Sequence, residues 1–138
     1  MKGQYLTVEY MVFFIIGIGM IISIYFIFSN VNEISERNTL KSQLKAVGGI
    51  VKGTIINVLE ISSSTNSKID YNLSIPPKLS RCIYMIEIDE NLNLNCTHDV
   101  SIGAVLSLYN LNITMKNIIY STKGYLEINA HNETVELK

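Results

Sequence analysis

The residues able to do chemistry in this chain are few, and their spacing excludes most of it. The two histidines, His98 and His131, fall in no metal-ligand spacing with each other, with Cys82 or with Cys96, and read as surface loop residues. No Gly-rich phosphate loop and no nucleophile elbow occurs. Asp89, Asn91, Asn93 and Asn95 recur at every second position and superficially resemble a calcium loop. The central glycine is missing, however, and Val100 stands where a bidentate Glu would be needed. The alternation reads instead as the solvated face of a strand. An enzyme is therefore not expected, and neither is a cofactor or a metal. The chain carries 11 Lys+Arg against 12 Asp+Glu, a formal net charge of −1, with no basic block. It has no electrostatic footprint for nucleic acid, so no nucleic-acid partner is expected.

Two sets of side chains keep a chemical reading. Cys82 and Cys96 could form a disulfide, the alternative being two buried thiols. Four Asn-x-Ser/Thr sequons begin at Asn72, Asn95, Asn112 and Asn132, which permits glycosylation of an external surface. Both readings depend on which compartment the chain enters.

The compartment is set by the N-terminal third. The 138 residues are 48 % hydrophobic and only 17 % charged, against roughly 25 % charged in an average soluble protein. No charge lies between Glu9 and Glu33. About 20 apolar residues cross the hydrocarbon core of a bilayer as a helix. Between Val12 and Phe28 stand twelve Val, Ile and Phe, which favour insertion by roughly 4–7 kcal/mol. A helix is expected despite the β-branched residues, because in hydrocarbon each backbone group must find its partner within the segment. The run is longer than the apolar core of a cleaved secretory signal, and Asn30-Val31-Asn32-Glu33-Ile34 offers no small-residue cleavage site. A transmembrane segment over about 10–32 is expected. Orientation is ambiguous from Lys/Arg counting, since Lys2 precedes the run while Arg37, Lys41 and Lys45 follow it.

The first residues, Met1-Lys2-Gly3-Gln4-Tyr5-Leu6-Thr7-Val8-Glu9-Tyr10, lead directly into the apolar run. Lys2-Gly3-Gln4, Thr7 and Glu9 ahead of an uninterrupted apolar helix resemble the class III signal peptides of archaeal type IV pilin-like proteins. The resemblance covers roughly the first thirty residues. It departs from the usual form in one respect, with four residues rather than three between Gln4 and Glu9. The resemblance implies that a prepilin peptidase removes a short leader, residues 1–3, at the Gly3–Gln4 bond; alignment on Glu9 would place the cut after Gln4. It further implies a cytoplasmic N-terminus, an external C-terminal region, and self-association with other pilin subunits through the helix. In the family the equivalent of Glu9 pairs with the freed α-amino group of a neighbouring subunit and sets register during assembly. Without such a partner, Glu9 would rest in the headgroup layer, favoured there by the helix macrodipole.

Beyond the run, Leu40, Leu44, Val47, Val51, Ile55 and Val58 follow steps of 4, 3, 4, 4 and 3, one stripe of a 3.6-residue period. Ile50, Ile56 and Leu59 widen the stripe. The N-terminal helix is expected over 4–61, although residues 30–38 are polar enough to interrupt it. Gly48, Gly49 and Gly53 indicate either a frayed turn or a close approach to a sheet. Ser62 to Ser67 read as a linker.

Residues 68–138 read as an extracytoplasmic β domain of six or seven short strands. Ile69, Tyr71, Leu73 and Ile75 alternate up to Pro76-Pro77. Cys82, Tyr84, Ile86 and Ile88 share a face, and Leu92, Leu94 and Cys96 share the next one. Val100–Tyr109, Ile113–Tyr120, Tyr125–Ile128 and Val135–Leu137 complete the set. If Ile88 pairs with Leu92 across the turn at 89–91, Ile86 opposes Leu94 and Tyr84 opposes Cys96. Cys82 then lies diagonal to Cys96, roughly 7–8 Å away at Cα, and a bulge or register step would close a disulfide. The expected fold is α+β: a long hydrophobic N-terminal helix, transmembrane then amphipathic, whose second half covers a small antiparallel β domain, as in type IV pilins.

Overall fold

The computed structural model describes residues 2–109, 111, 113–115, 118–131 and 134–138. It is α+β, with one helix followed by eight short strands: α1 (Lys2–Thr65), β1 (Ile69–Ser74), β2 (Tyr84–Ile88), β3 (Asn91–Cys96), β4 (Gly103–Ser107), β5 (Ile113–Met115), β6 (Ile119–Tyr120), β7 (Tyr125–His131) and β8 (Thr134–Leu137). Residues 1–37 form one compact unit and residues 38–138 a second.

In the second unit the strands form two four-stranded sheets, ordered β1-β7-β8-β5 and β4-β3-β2-β6. The β2–β3 hairpin has the register expected from its alternation, with Ile88 opposite Leu92, Ile86 opposite Leu94 and Tyr84 opposite Cys96. Leu44, Val47, Val51, Ile55 and Val58 of the helix are buried in one apolar cluster with Tyr84, Ile86, Leu92, Leu94, Leu126, Ile128, Val135 and Leu137. Leu40 and Leu59 pack against that cluster from its margin. The spacing of the stripe thus becomes the cover of both sheets.

Several expectations are corrected. The strand expected at Ile113–Tyr120 divides between the sheets: β5 runs parallel to β8, whereas β6 pairs antiparallel with β2. Among the described residues the strands of the β domain pair antiparallel except for β5 with β8. The strand expected at Val100–Tyr109 shortens to β4. Asp99 accepts from the Ser101 backbone and hydroxyl at 3.0 and 2.6 Å, and Ile102 N–H bonds Asp99 C=O at 2.9 Å, which makes residues 99–102 a turn. Tyr71 is 46 % exposed, because β1 is an edge strand and its apolar alternation is only partly covered. Ile50 and Ile56 lie off the buried stripe and remain exposed.

The helix also runs past residue 61, so Ser62–Thr65 belong to it rather than to the expected linker. Its end is a built cap. Thr65 Oγ1 donates to Ile61 C=O at 2.7 Å, and Ser67 N–H bonds Ser62 C=O at 3.3 Å. Buried Ser62 donates its hydroxyl to Ser67 C=O at 2.8 Å, while Asn66 takes the left-handed conformation, φ 49°, common just past a helix. Residues 30–38 are helical as well, with an i,i+4 contact of 3.4 Å between Glu33 and Arg37 on that stretch.

Candidate functional site

The first unit carries the feature with a function to explain. Every residue from Thr7 to Thr39 is exposed, including all of the apolar side chains from Val8 to Phe28. The apolar character goes all the way round, with no polar stripe to face water. A helix of this kind is stable where its surroundings are themselves apolar, in lipid or among other helices. It is long and apolar enough to cross a membrane.

One polar side chain within this stretch is satisfied by the helix itself. Ser23 donates its hydroxyl to Gly19 C=O at 2.8 Å, so a group that hydrocarbon could not satisfy is satisfied within the helix. A β-carbon on Gly17 or Gly19 would meet no atom within 4 Å, so neither glycine is required by a contact inside the chain. Tyr25 and Phe26 meet edge to face at 6.3 Å between ring centroids. Glu9 is exposed near the start of the apolar stretch. Gly3 and Gln4, the residues of the expected cleavage, lie in the backbone of α1.

The second unit gathers different chemistry. Cys82 and Cys96 are joined in a disulfide and are almost fully buried, with their Cα atoms 5.7 Å apart. Cys82 does not continue strand β2. It closes a tight turn with Leu79, whose N–H and C=O bond those of Cys82 at 2.9 and 2.8 Å. This departure from the ladder accompanies a separation shorter than the diagonal spacing of an unperturbed hairpin. The bridge ties the turn at 79–82 to the end of β3, an inner strand of the β4-β3-β2-β6 sheet.

Asn72 is exposed on β1, whereas Asn95 is half-buried in the interior of its sheet. Its Oδ1 lies over Gly103 of β4, in the space a side chain there would fill. Asn112 and Asn132 lie outside the described residues. Asn91, Asn93 and Asn95 alternate with buried Leu92, Leu94 and Cys96 along β3. His98 is exposed in the β3–β4 connection, while exposed His131 closes β7 rather than lying in a loop. Among the described residues, no group of three or more His, Cys, Asp and Glu is placed to hold a metal. An open cavity of about 590 Å³ lies between Ile118–Lys123 and Leu137–Lys138. Its two lysines are engaged with Glu127 and Glu136, at 3.6 and 3.2 Å.

One polar cluster had no sequence signal beyond a Tyr at a buried alternation. Tyr84 is fully buried and donates its hydroxyl to Pro76 C=O at 2.8 Å. Its N–H donates to Ser121 Oγ at 3.1 Å, and the Ser121 hydroxyl donates to Pro77 C=O at 2.8 Å. Burial pushes the Tyr84 pKa up to about 12, because the phenolate would lose its water. Gly124 closes the adjacent 3₁₀ turn at φ 78°, a conformation glycine adopts without strain, and its C=O receives Ile75 N–H at 3.0 Å. The cluster fastens the Pro76-Pro77 segment to both sheets. Its members come from segments far apart in the chain, so no local pattern announces it.

No family model, no curated protein and no solved structure matches this chain.

Proposed function

We propose that this chain is a structural subunit of a type IV pilus-like surface filament, processed by a prepilin peptidase. The observation that carries the reading is the all-round exposure of the apolar helix from Val8 to Phe28 on a chain whose other unit has its own closed core. Such a helix can be held in a bilayer before assembly and among the helices of other subunits afterwards, exchanging lipid contacts for helix contacts. The order Lys2-Gly3-Gln4 and Glu9 ahead of the helix, which resembles a class III leader, supports assembly over a permanent anchor. In this reading the β domain lies outside the cytoplasm, where a disulfide such as Cys82–Cys96 persists.

The mechanism turns on one proton-bearing group and one carboxylate. Cleavage at Gly3–Gln4 would free an α-amino group of pKa about 8, mostly charged at pH 7. In low dielectric it would pair with Glu9 of a neighbouring subunit and fix the axial register. The peptidase thereby gates assembly.

Electron microscopy of filaments sheared from cells, with mass spectrometry of their subunits, tests the reading. Filaments built from a chain that begins at Gln4 are expected. An uncut chain that stays in the membrane fraction would overturn it, in favour of a permanently anchored surface protein with an accessory or ligand-binding β domain. Glu9→Gln is expected to leave membrane insertion intact and to reduce filament yield, since the apolar run alone carries insertion. Normal yield from that variant would remove the register role.

A further inference from the structure

Strand β4 ends its sheet, and among the described residues no strand pairs with its outer edge. The bond from Cys96 N–H to Ile102 C=O, 3.0 Å, fixes the phase of the β3–β4 ladder. Leu94 with Ala104, and Leu92 with Leu106, are then the hydrogen-bonded pairs. The N–H and C=O groups of Gly103, Val105 and Ser107 consequently point away from the sheet. Among the described residues, no backbone group meets them.

Natural sheets blunt such edges with charges, prolines or a covering element. The edge strand β1 does so: Asp70 pairs with Lys68 at 3.3 Å, and Pro76-Pro77 follows closely. Strand β4 has neither device. From Val100 to Met115 no residue is charged, the longest such run outside the apolar helix. Val105 at the centre of the strand is 67 % exposed, and Val100 and Tyr109 on either side of it are exposed to a similar degree.

We propose that β4 pairs edge to edge with β4 of a second copy of this chain, antiparallel and centred on Val105. A row of alternating N–H and C=O groups is complemented only by another extended backbone. Self-pairing is favoured by the charge pattern. A strand bearing net charge would meet the same charge on its copy, whereas Gly103–Ser107 bear none. Centring on Val105 places Gly103 opposite Ser107 and gives the two exposed valines a β-branched cross-strand contact. With only five residues in the ladder, the interface is weak and depends on concentration. The proposal concerns the β domain alone and does not rest on the filament reading.

The test uses the full chain reconstituted in lipid vesicles, with single cysteines introduced as Val105→Cys, Ser107→Cys and Thr122→Cys. In the proposed register the two 105 positions are about 5.5 Å apart at Cα, within disulfide span. The two 107 positions are roughly 14 Å apart. Mild oxidation is expected to give roughly tenfold more cross-linked dimer from Val105→Cys than from the other two. Equal yields at all three positions would mean mere crowding through the apolar helices and would overturn the proposal, as would no dimer at position 105. Amide hydrogen exchange of the unmodified chain gives a second readout. Exchange at Val105 and Ser107 is expected to slow severalfold as the protein-to-lipid ratio rises, and rates that do not change would overturn the pairing.

Discussion

The two halves of α1 use similar apolar residues against different surroundings. From Thr7 to Thr39 every residue is exposed, and apolar side chains occupy all sides. From Leu40 onward only one stripe is buried, and lysines 41, 45 and 52 stand off it. The first pattern is apolar on every side and presupposes an apolar medium. The second presupposes a sheet. The halves differ both in charge content and in arrangement, and this makes them respond differently to the same substitution.

The largest expected effect separates them directly. Leu44 is fully buried under the sheets. Leu44→Ala is expected to destabilise the β domain by about 3 kcal/mol, from lost transfer energy and the cavity left behind. Ile15, 67 % exposed in the first half, should do nothing of the kind when changed to Ala. Denaturant unfolding followed by a β-domain probe in detergent checks the pair. A matching loss from Ile15→Ala would overturn the contrast between the two halves.

The disulfide comes next. It closes a loop with a sequence separation of 14, for which the chain-entropy estimate is about 3 kcal/mol. Replacing both cysteines by Ala is expected to lower β-domain stability by that order and to leave the partition into membranes unchanged. Thermal melts and vesicle flotation of the same sample read the two effects separately.

Tyr84 supplies a pH-dependent version of the contrast. Its pKa is raised from the ordinary value of 10.0 to about 12, so the folded state favours the neutral phenol. The stability from this group is present in full below pH 10 and is lost as pH rises from 10 towards 12, by roughly 2–3 kcal/mol. Tyr84→Phe should remove this window while costing about 1–3 kcal/mol at neutral pH, because Pro76 C=O loses its donor. Comparing the pH profiles of parent and variant subtracts the lysines that titrate in the same range. An alkaline window that survives in Tyr84→Phe would assign it to another group.

Much of this arrangement was legible in the residues. The uncharged run announced a helix for an apolar medium, the 4, 3, 4, 4, 3 spacing announced the sheet-covering stripe, and the alternation about the turn at 89–91 set the β2–β3 register. These signals are local and periodic. The parallel β5–β8 pair, the exposure of Tyr71 and the Tyr84–Ser121–proline cluster depend on which distant segments meet, and periodicity carries no information on that. The linker was misread for another reason. Ser and Thr favour loops because their hydroxyls bond nearby backbone, yet here the hydroxyls of Ser62 and Thr65 bond backbone groups that finish the helix.

The glycines after position 47 leave the finest distinction to measure. Composition cannot separate a frayed turn from a close approach, but the packing does so residue by residue. A β-carbon on Gly48 would lie 2.5 Å from Leu106 Cδ1 and 2.9 Å from Leu94 Cδ1. On neighbouring Gly49 it would meet nothing within 4 Å. Gly48→Ala is thus expected to gain helix propensity and lose more to overpacking, for a net loss of about 1 kcal/mol. Gly49→Ala keeps only the gain, up to about 1 kcal/mol. Adjacent substitutions of one kind should therefore shift the melting temperature in opposite directions. Stabilisation by both would show that Leu106, half-buried at the margin of the core, yields enough to admit a methyl group, and that the helix approaches the sheet less tightly than these distances indicate.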